Sequence, residues 1–149
     1  MVVVAVSKFE RFFRSVAGLD VDKDDLKRHG DFVNRKLVDL LVRGEATAKA
    51  NGRDIIEPFD LPITKGLQER IREFGRMGSA DEMRQWMGQA LRRPPDDITF
   101  GDETEEFLAD VFGGISIVLA RSFRVVDPEV ENPQSQHWDR AFELYRMVL

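Results

Sequence analysis

Ala48-Lys49-Ala50-Asn51-Gly52-Arg53-Asp54-Ile55-Ile56-Glu57-Pro58-Phe59-Asp60 is the stretch whose change of character decides how the chain is read. Upstream of it, Leu26, Val33, Leu37, Leu40, Leu41, Gly44 and Ala48 fall on one face at helical spacing. This stripe describes a rod of about 27 residues and roughly 40 Å. Gly52 ends it, since glycine takes the left-handed backbone that closes helix C-termini. Ile55-Ile56 then forms a brief extended piece. Asp60 is placed to cap a further helix, with Pro62 tolerated in the first turn and Ile63, Leu67, Ile71 and Phe74 on the inner face. That helix fades over Gly75 to Gly78.

Working outward, Ser7 and Glu10 form an S-x-x-E capping box, and Phe9, Phe12, Phe13 and Val16 follow at i, i+3, i+4, i+7. They predict a short helix ending at Gly18. Leu19-Asp20-Val21 is extended, and Asp22, Asp24 and Asp25 supply the cap and negative charge for the start of the long helix. After residue 78 the same order returns. Ser79 and Glu82 open a short helix carrying Met83, Trp86, Met87, Ala90 and Leu91, stopped by Pro94-Pro95. Ile98-Thr99-Phe100 is extended, and Asp102 with Glu105 caps a second long helix. Its stripe is Leu108, Val111, Phe112, Ile115, Val118, Leu119 and Ser122. Gly113-Gly114 within this helix disfavours it by about 1 kcal/mol per residue against Ala and therefore signals a close crossing by another helix. A loop from Asp127 to Pro133 leads to a last helix with Trp138, Phe142, Tyr145 and Val148.

The pattern therefore occurs twice, at an offset of roughly 72 to 77 residues. The expectation is an all-α fold in one compact domain over residues 1–149. Its units, 7–76 and 79–149, cross their long helices as an intrachain pseudo-dimer, because neither stripe can be buried alone.

Composition narrows the class. At 149 residues the chain can bury a core without staples, and with no Cys it has neither disulfides nor a thiolate zinc site. Cytoplasm is the default location. The apolar start, Met1 to Val6, lacks a basic flank and reads as an ordered terminal arm. No apolar run approaches the roughly 20 residues that span a bilayer. The net charge of −5 is uneven: residues 1–76 hold 15 basic against 13 acidic side chains, and residues 77–149 hold 7 against 14. Such a balance does not advertise nucleic-acid binding.

The short-long-short helix order with two strand-like loops resembles the histone fold, and residues 17–63 resemble an archaeal histone. The matching residues are Ala17-Gly18, Asp24-Asp25, the run Ala48 to Arg53, and Asp60, followed by Leu where archaeal histones have Ile. The resemblance implies that Arg53 and Asp60 form the ion pair clamping the second loop to the next helix; otherwise they are two unrelated surface charges. The second half matches in layout alone, since Arg124 begins a longer loop and Asp139 lies too far along. Doubled histone folds in one chain are similar to a small bacterial family without established function. Ala50 stands where archaeal histones carry the His of their tetramer contact. Polymeric stacking is therefore not implied, and an isologous dimer through another face stays open.

Catalytic constellations are poor, so no enzyme activity, metal or cofactor is expected. His29 and His137 share no metal-ligand spacing and read as a helix-face residue and a turn or capping residue. Ser116 lacks the G-x-S-x-G elbow, and Gly113-Gly114 lacks the Lys-Ser/Thr of a phosphate loop. Glu105-Glu106 and Asp96-Asp97 read as helix-start and loop charges. The loops expected to pair are acidic. Arg53, Arg92 and Arg93 face Asp54, Glu57, Asp96 and Asp97 at one end; at the other, Asp20, Asp22, Asp24 and Asp25 with Lys23 lie beside Asp127, Glu129 and Glu131, with Arg124 the main cation. Such loops repel phosphate. The leading expectation is a non-enzymatic module for protein–protein assembly, with a protein partner or self-association and no membrane. The alternative is a histone-like nucleoid protein holding DNA on Lys8, Arg11, Arg14, Lys27, Arg28, Arg35 and Lys36, residues that otherwise form a solvated face interleaved with Asp31 and Asp39.

Overall fold

The computed structural model describes residues 2–92 and 97–148. Among them lie α1 (Val2–Ala17), α2 (Lys23–Ala50), α3 (Lys65–Arg76), α4 (Ala80–Ala90), α5 (Asp102–Val126) and α6 (Ser135–Val148), with a 3-10 turn at Pro58–Asp60. The fold is all-helical. The extended pieces Ile55-Ile56 and Ile98 to Phe100 meet at one isolated parallel bridge, Ile56 to Phe100.

The helix starts show where local signals hold and where they do not. Asp22 caps α2 as expected: its side chain accepts from the Asp24 and Asp25 amides, and Asp25 returns a bond to the Asp22 amide. Helix α1, in contrast, begins at Val2, so the terminal arm from Val2 to Val6 is helical and Ser7 sits in mid-helix. With those residues helical, Ser7 faces no free amides to cap. Helix α3 is capped by Thr64, whose Oγ1 accepts from the Leu67 amide at 3.2 Å, and not by Asp60. Ser79 stands at the start of α4 without a capping bond from its side chain. Gly101, not Asp102, precedes α5. Helix α4 ends at Ala90; the stop assigned to Pro94-Pro95 lies outside the described residues. Gly52 has φ +74°, as a glycine closing a helix should.

The two long helices are not equivalent. Helix α2 is amphipathic, whereas α5 is buried continuously from Val111 to Ile117. It is the axis against which all the other helices pack. An all-round apolar helix can only sit at the centre of a core. The core is one cluster drawn from both halves, with Phe9, Phe12, Leu37 and Phe74 beside Trp86, Phe112 and Trp138. The tightest approach is between α3 and α5. A Cβ on Gly113 would lie 2.5 Å from the Phe74 ring, and one on Gly114 would lie 2.6 Å from Ile71 Cγ1 and 3.1 Å from its amide nitrogen. The glycine pair therefore marks a helix crossing, and the crossing helix is α3. Salt bridges latch the flanks, Arg121 to Glu73 on α3 and Arg84 to Asp110 from α4. Helix α6 packs on α5 and meets the first half of α2 through side chains, with Phe142 stacked on Phe32 at 4.7 Å and the Trp138 indole N–H donating to Asp25 at 2.7 Å. Val148, expected on the inner stripe of α6, is exposed.

Candidate functional site

Two loop pairs close the ends of the molecule, and each is built around an arginine. At the first end Arg53 leaves α2 and grips Asp60 with two guanidinium nitrogens, Nη2 donating to Oδ1 at 2.7 Å. Asp60 is only 3% exposed and also accepts from the Glu57 amide at 2.8 Å. The Arg53 hydrogen bond holds its carboxyl below the usual carboxylate range. Arg53 further lies over the Phe59 ring, 5.0 Å from its centroid. The loop is fastened to the second half through Ile56, whose amide donates to the Thr99 carbonyl at 3.0 Å and whose carbonyl accepts from Thr104 Oγ1 at 2.8 Å. Asp54, Asp97, Asp102 and Glu103 line this end and are exposed. Arg93 and Asp96, expected in the same loop pair, lie outside the described residues.

At the second end the Asp20 amide donates to the Glu131 carbonyl at 2.7 Å. Arg124 reaches across, Nε to the Ala17 carbonyl and Nη2 to the Gly18 carbonyl, both at 2.9 Å. The main cation of this end is thus engaged by backbone oxygens.

The seven nominated cations do not form one free face. Lys8 and Arg11 converge on Glu82 of α4 at 3.8 and 3.1 Å, and Arg14 pairs with Asp20 at 3.3 Å. Arg28 donates to Ser135 Oγ at 2.9 Å, and Lys36 pairs with Asp39 at 3.6 Å. Lys27 and Arg35 are exposed, and Arg35 borders a cleft between α2 and the α4–α5 connection. That cleft has an apolar floor of Leu37, Leu41, Leu91 and Leu108. Its rim is tied together: Arg92 pairs with Asp31, and Asn34 accepts from the Arg92 amide at 2.9 Å while donating to the Ala90 carbonyl. Asn34 escaped the sequence reading. A polar residue set between Val33 and Leu37 on the buried face was the available signal, because a buried amide must find partners.

Both histidines serve the fold. His29 is not a surface helix residue: it is 1% exposed, ringed by Phe9, Phe13, Trp86 and Phe112, with Nε2 2.8 Å from Ser116 Oγ. Ser116 donates to the Phe112 carbonyl, so His29 is the donor to Ser116. Burial lowers its pKa to about 3. His137 accepts at Nδ1 from the Gln134 amide at the start of α6, and its Nε2 meets Asp127 at 3.0 Å. It is a capping residue. No group of three or more His, Asp or Glu able to hold a metal ion occurs among the described residues.

Residues 9–146 match the family described as "Domain of unknown function (DUF1931)". The chain belongs to this family. Two uncharacterized proteins of Aquifex aeolicus (strain VF5) are similar to it, one 26% identical over 116 residues and the other 27% over 124. These matches span 76% and 74% of the chain, and 66% and 72% of the relatives. Among solved structures, a Thermus thermophilus protein is 45% identical with a TM-score of 0.86 over 97% of both chains. An Aquifex aeolicus protein at 21% identity, TM-score 0.86, covers 97% of this chain and 95% of its own; it shares the fold. The placement among archaeal-type histones, and in a doubled histone-fold family, is thereby corrected to the DUF1931 family. The resemblance rested on the short-long-short helix order and on a few short matches between residues 17 and 63, chiefly the run from Ala48 to Arg53 with Asp60. A guanidinium at a helix end clamping a carboxylate across a short loop is a local solution that any helical protein can use.

No helix among the described residues is long and apolar enough to cross a membrane.

Proposed function

We propose that this protein is a non-enzymatic assembly module whose partner is another protein. The observation that carries this reading is the pairing of the α1 cations, with Lys8 and Arg11 held by Glu82 and Arg14 by Asp20. A phosphate backbone would have to displace those carboxylates, and the loop ends beside them are acidic, so binding through counterion release has little to work with. Both histidines are engaged in core and capping bonds, which supports a role without acid–base chemistry. The two loop pairings, residues 17–20 with 124–131 and residue 56 with 99–100, favour reading the halves as an internal pseudo-dimer around α5.

The test is affinity capture of the full chain from source-cell extract, with and without nuclease, followed by a duplex DNA titration at low salt. The reading requires a protein that stays bound after nuclease treatment and no low-salt shift of DNA. A salt-sensitive shift abolished by Lys8→Glu, Arg11→Glu and Arg14→Glu would establish the nucleoid alternative instead.

A further inference from the structure

The loop from Arg53 to Asp60 leaves Phe59 77% and Ile55 47% exposed. Neither is loosely held. Phe59 is fixed by the Arg53 guanidinium over its ring, and Arg53 is fixed in turn by buried Asp60. Ile55 is followed by Ile56, which is 1% exposed and bonded on both sides to the second half. An aromatic ring kept rigid in water brings little ordering entropy to an encounter, and burying it on a partner removes its apolar surface from water. Aromatic anchors of this kind dominate interface energetics.

The surrounding charge selects the partner. Asp54 adjoins Ile55, and Asp97, Asp102 and Glu103 are carried to the same end by the Ile56–Phe100 bridge and the Thr104 bond; all four are exposed. The cations of the segment, Lys49 and Arg53, are held by Glu45 and Asp60. Resting on the assembly reading above, we infer that this end docks a protein whose surface offers an apolar pocket for Phe59 within a rim of Lys and Arg. Complementary charge steers such an encounter and sets its register, while nucleic acid and anionic lipid are repelled by the same carboxylates.

The experiment places the photo-crosslinker p-benzoylphenylalanine at position 55 of the full chain, and separately at exposed Val42 and Leu144, in source-cell extract. Cross-linked proteins are identified by mass spectrometry, purified and titrated calorimetrically. The inference requires position 55 to capture a protein through a segment rich in Lys and Arg. Affinity for it must weaken about thirtyfold in Phe59→Ala, fall in Asp102→Lys, and drop with added salt. Phe59→Ala should melt as the parent does, because the ring is largely solvated. Cross-links from position 55 only to a second copy, to an acidic segment, or to a protein whose affinity ignores Phe59→Ala would overturn it. Capture from position 42 or 144 alone removes this docking face and leaves the assembly reading standing; capture from none of the three removes both.

Discussion

His29 shows what burial does to a titrating residue. Unfolded, it protonates near pH 6.5; in the core its pKa is about 3. The folded value is depressed, so the unfolded chain binds the extra proton between these limits and stability falls as pH drops through that window. From about pH 7 to about pH 5 the loss is about 2 kcal/mol. Urea titrations of the parent and of His29→Leu should show it, with the slope over that range present in the first and absent in the second. Asp60 acts lower down. Its carboxyl is held down by Arg53, so its contribution is present above the ordinary carboxylate range and disappears as pH falls through the folded pKa. Asp60→Asn and Arg53→Ala are each expected to lower the melting temperature, and the double variant to melt close to the singles, because either change alone breaks the same clamp. Additive shifts in calorimetric melts would show the two groups acting independently.

At the scale of elements, the α3–α5 crossing is the most constrained contact. Gly113→Ala drives a methyl into the Phe74 ring and Gly114→Ala drives one against the Ile71 backbone. Each is expected to destabilise by about 1–3 kcal/mol despite the better helix propensity of Ala. Gly88 in α4 has nothing within 4 Å of its would-be Cβ, so Gly88→Ala should stabilise by about 0.5–1 kcal/mol. Denaturant melts of the three variants check the contrast; equal effects at positions 88 and 113 would mean that the crossing yields to an added methyl. The glycine pair announced a crossing in the sequence, since only a close approach justifies two glycines inside an apolar helix. Its partner was not legible, because Ile71 and Phe74 carry no mark distinguishing them from any other inner face.

At the scale of the molecule, α5 takes its packing from both halves. Fragments 1–78 and 79–149 are therefore each expected to lack cooperative melting by circular dichroism when separate, and to regain it when mixed. A fragment that melts cooperatively alone would contradict the single core. The charge distribution also acquires meaning only here. Lys8, Arg11 and Arg14 are a basic run along the chain, and α4 packing against α1 brings Glu82 to two of them. The second S-x-x-E motif has the form of a capping box, yet Ser79 makes no capping bond and Glu82 bridges α4 to α1.

The sequence by itself determined the all-α class of fold: stripe spacing, the Asp22 cap and the Gly52 stop are local properties, set by neighbours within one or two turns. Arg53 and Asp60 were legible for the same reason, being joined by a short loop. Only the tertiary structure decided that α5 is the axis, that His29 lies in an aromatic cage, that the α1 cations are paired, and that Phe59 stands in solvent. Each depends on which residues distant in sequence meet. Burial and ion pairing are properties of that meeting, and a pattern of residue types does not contain them.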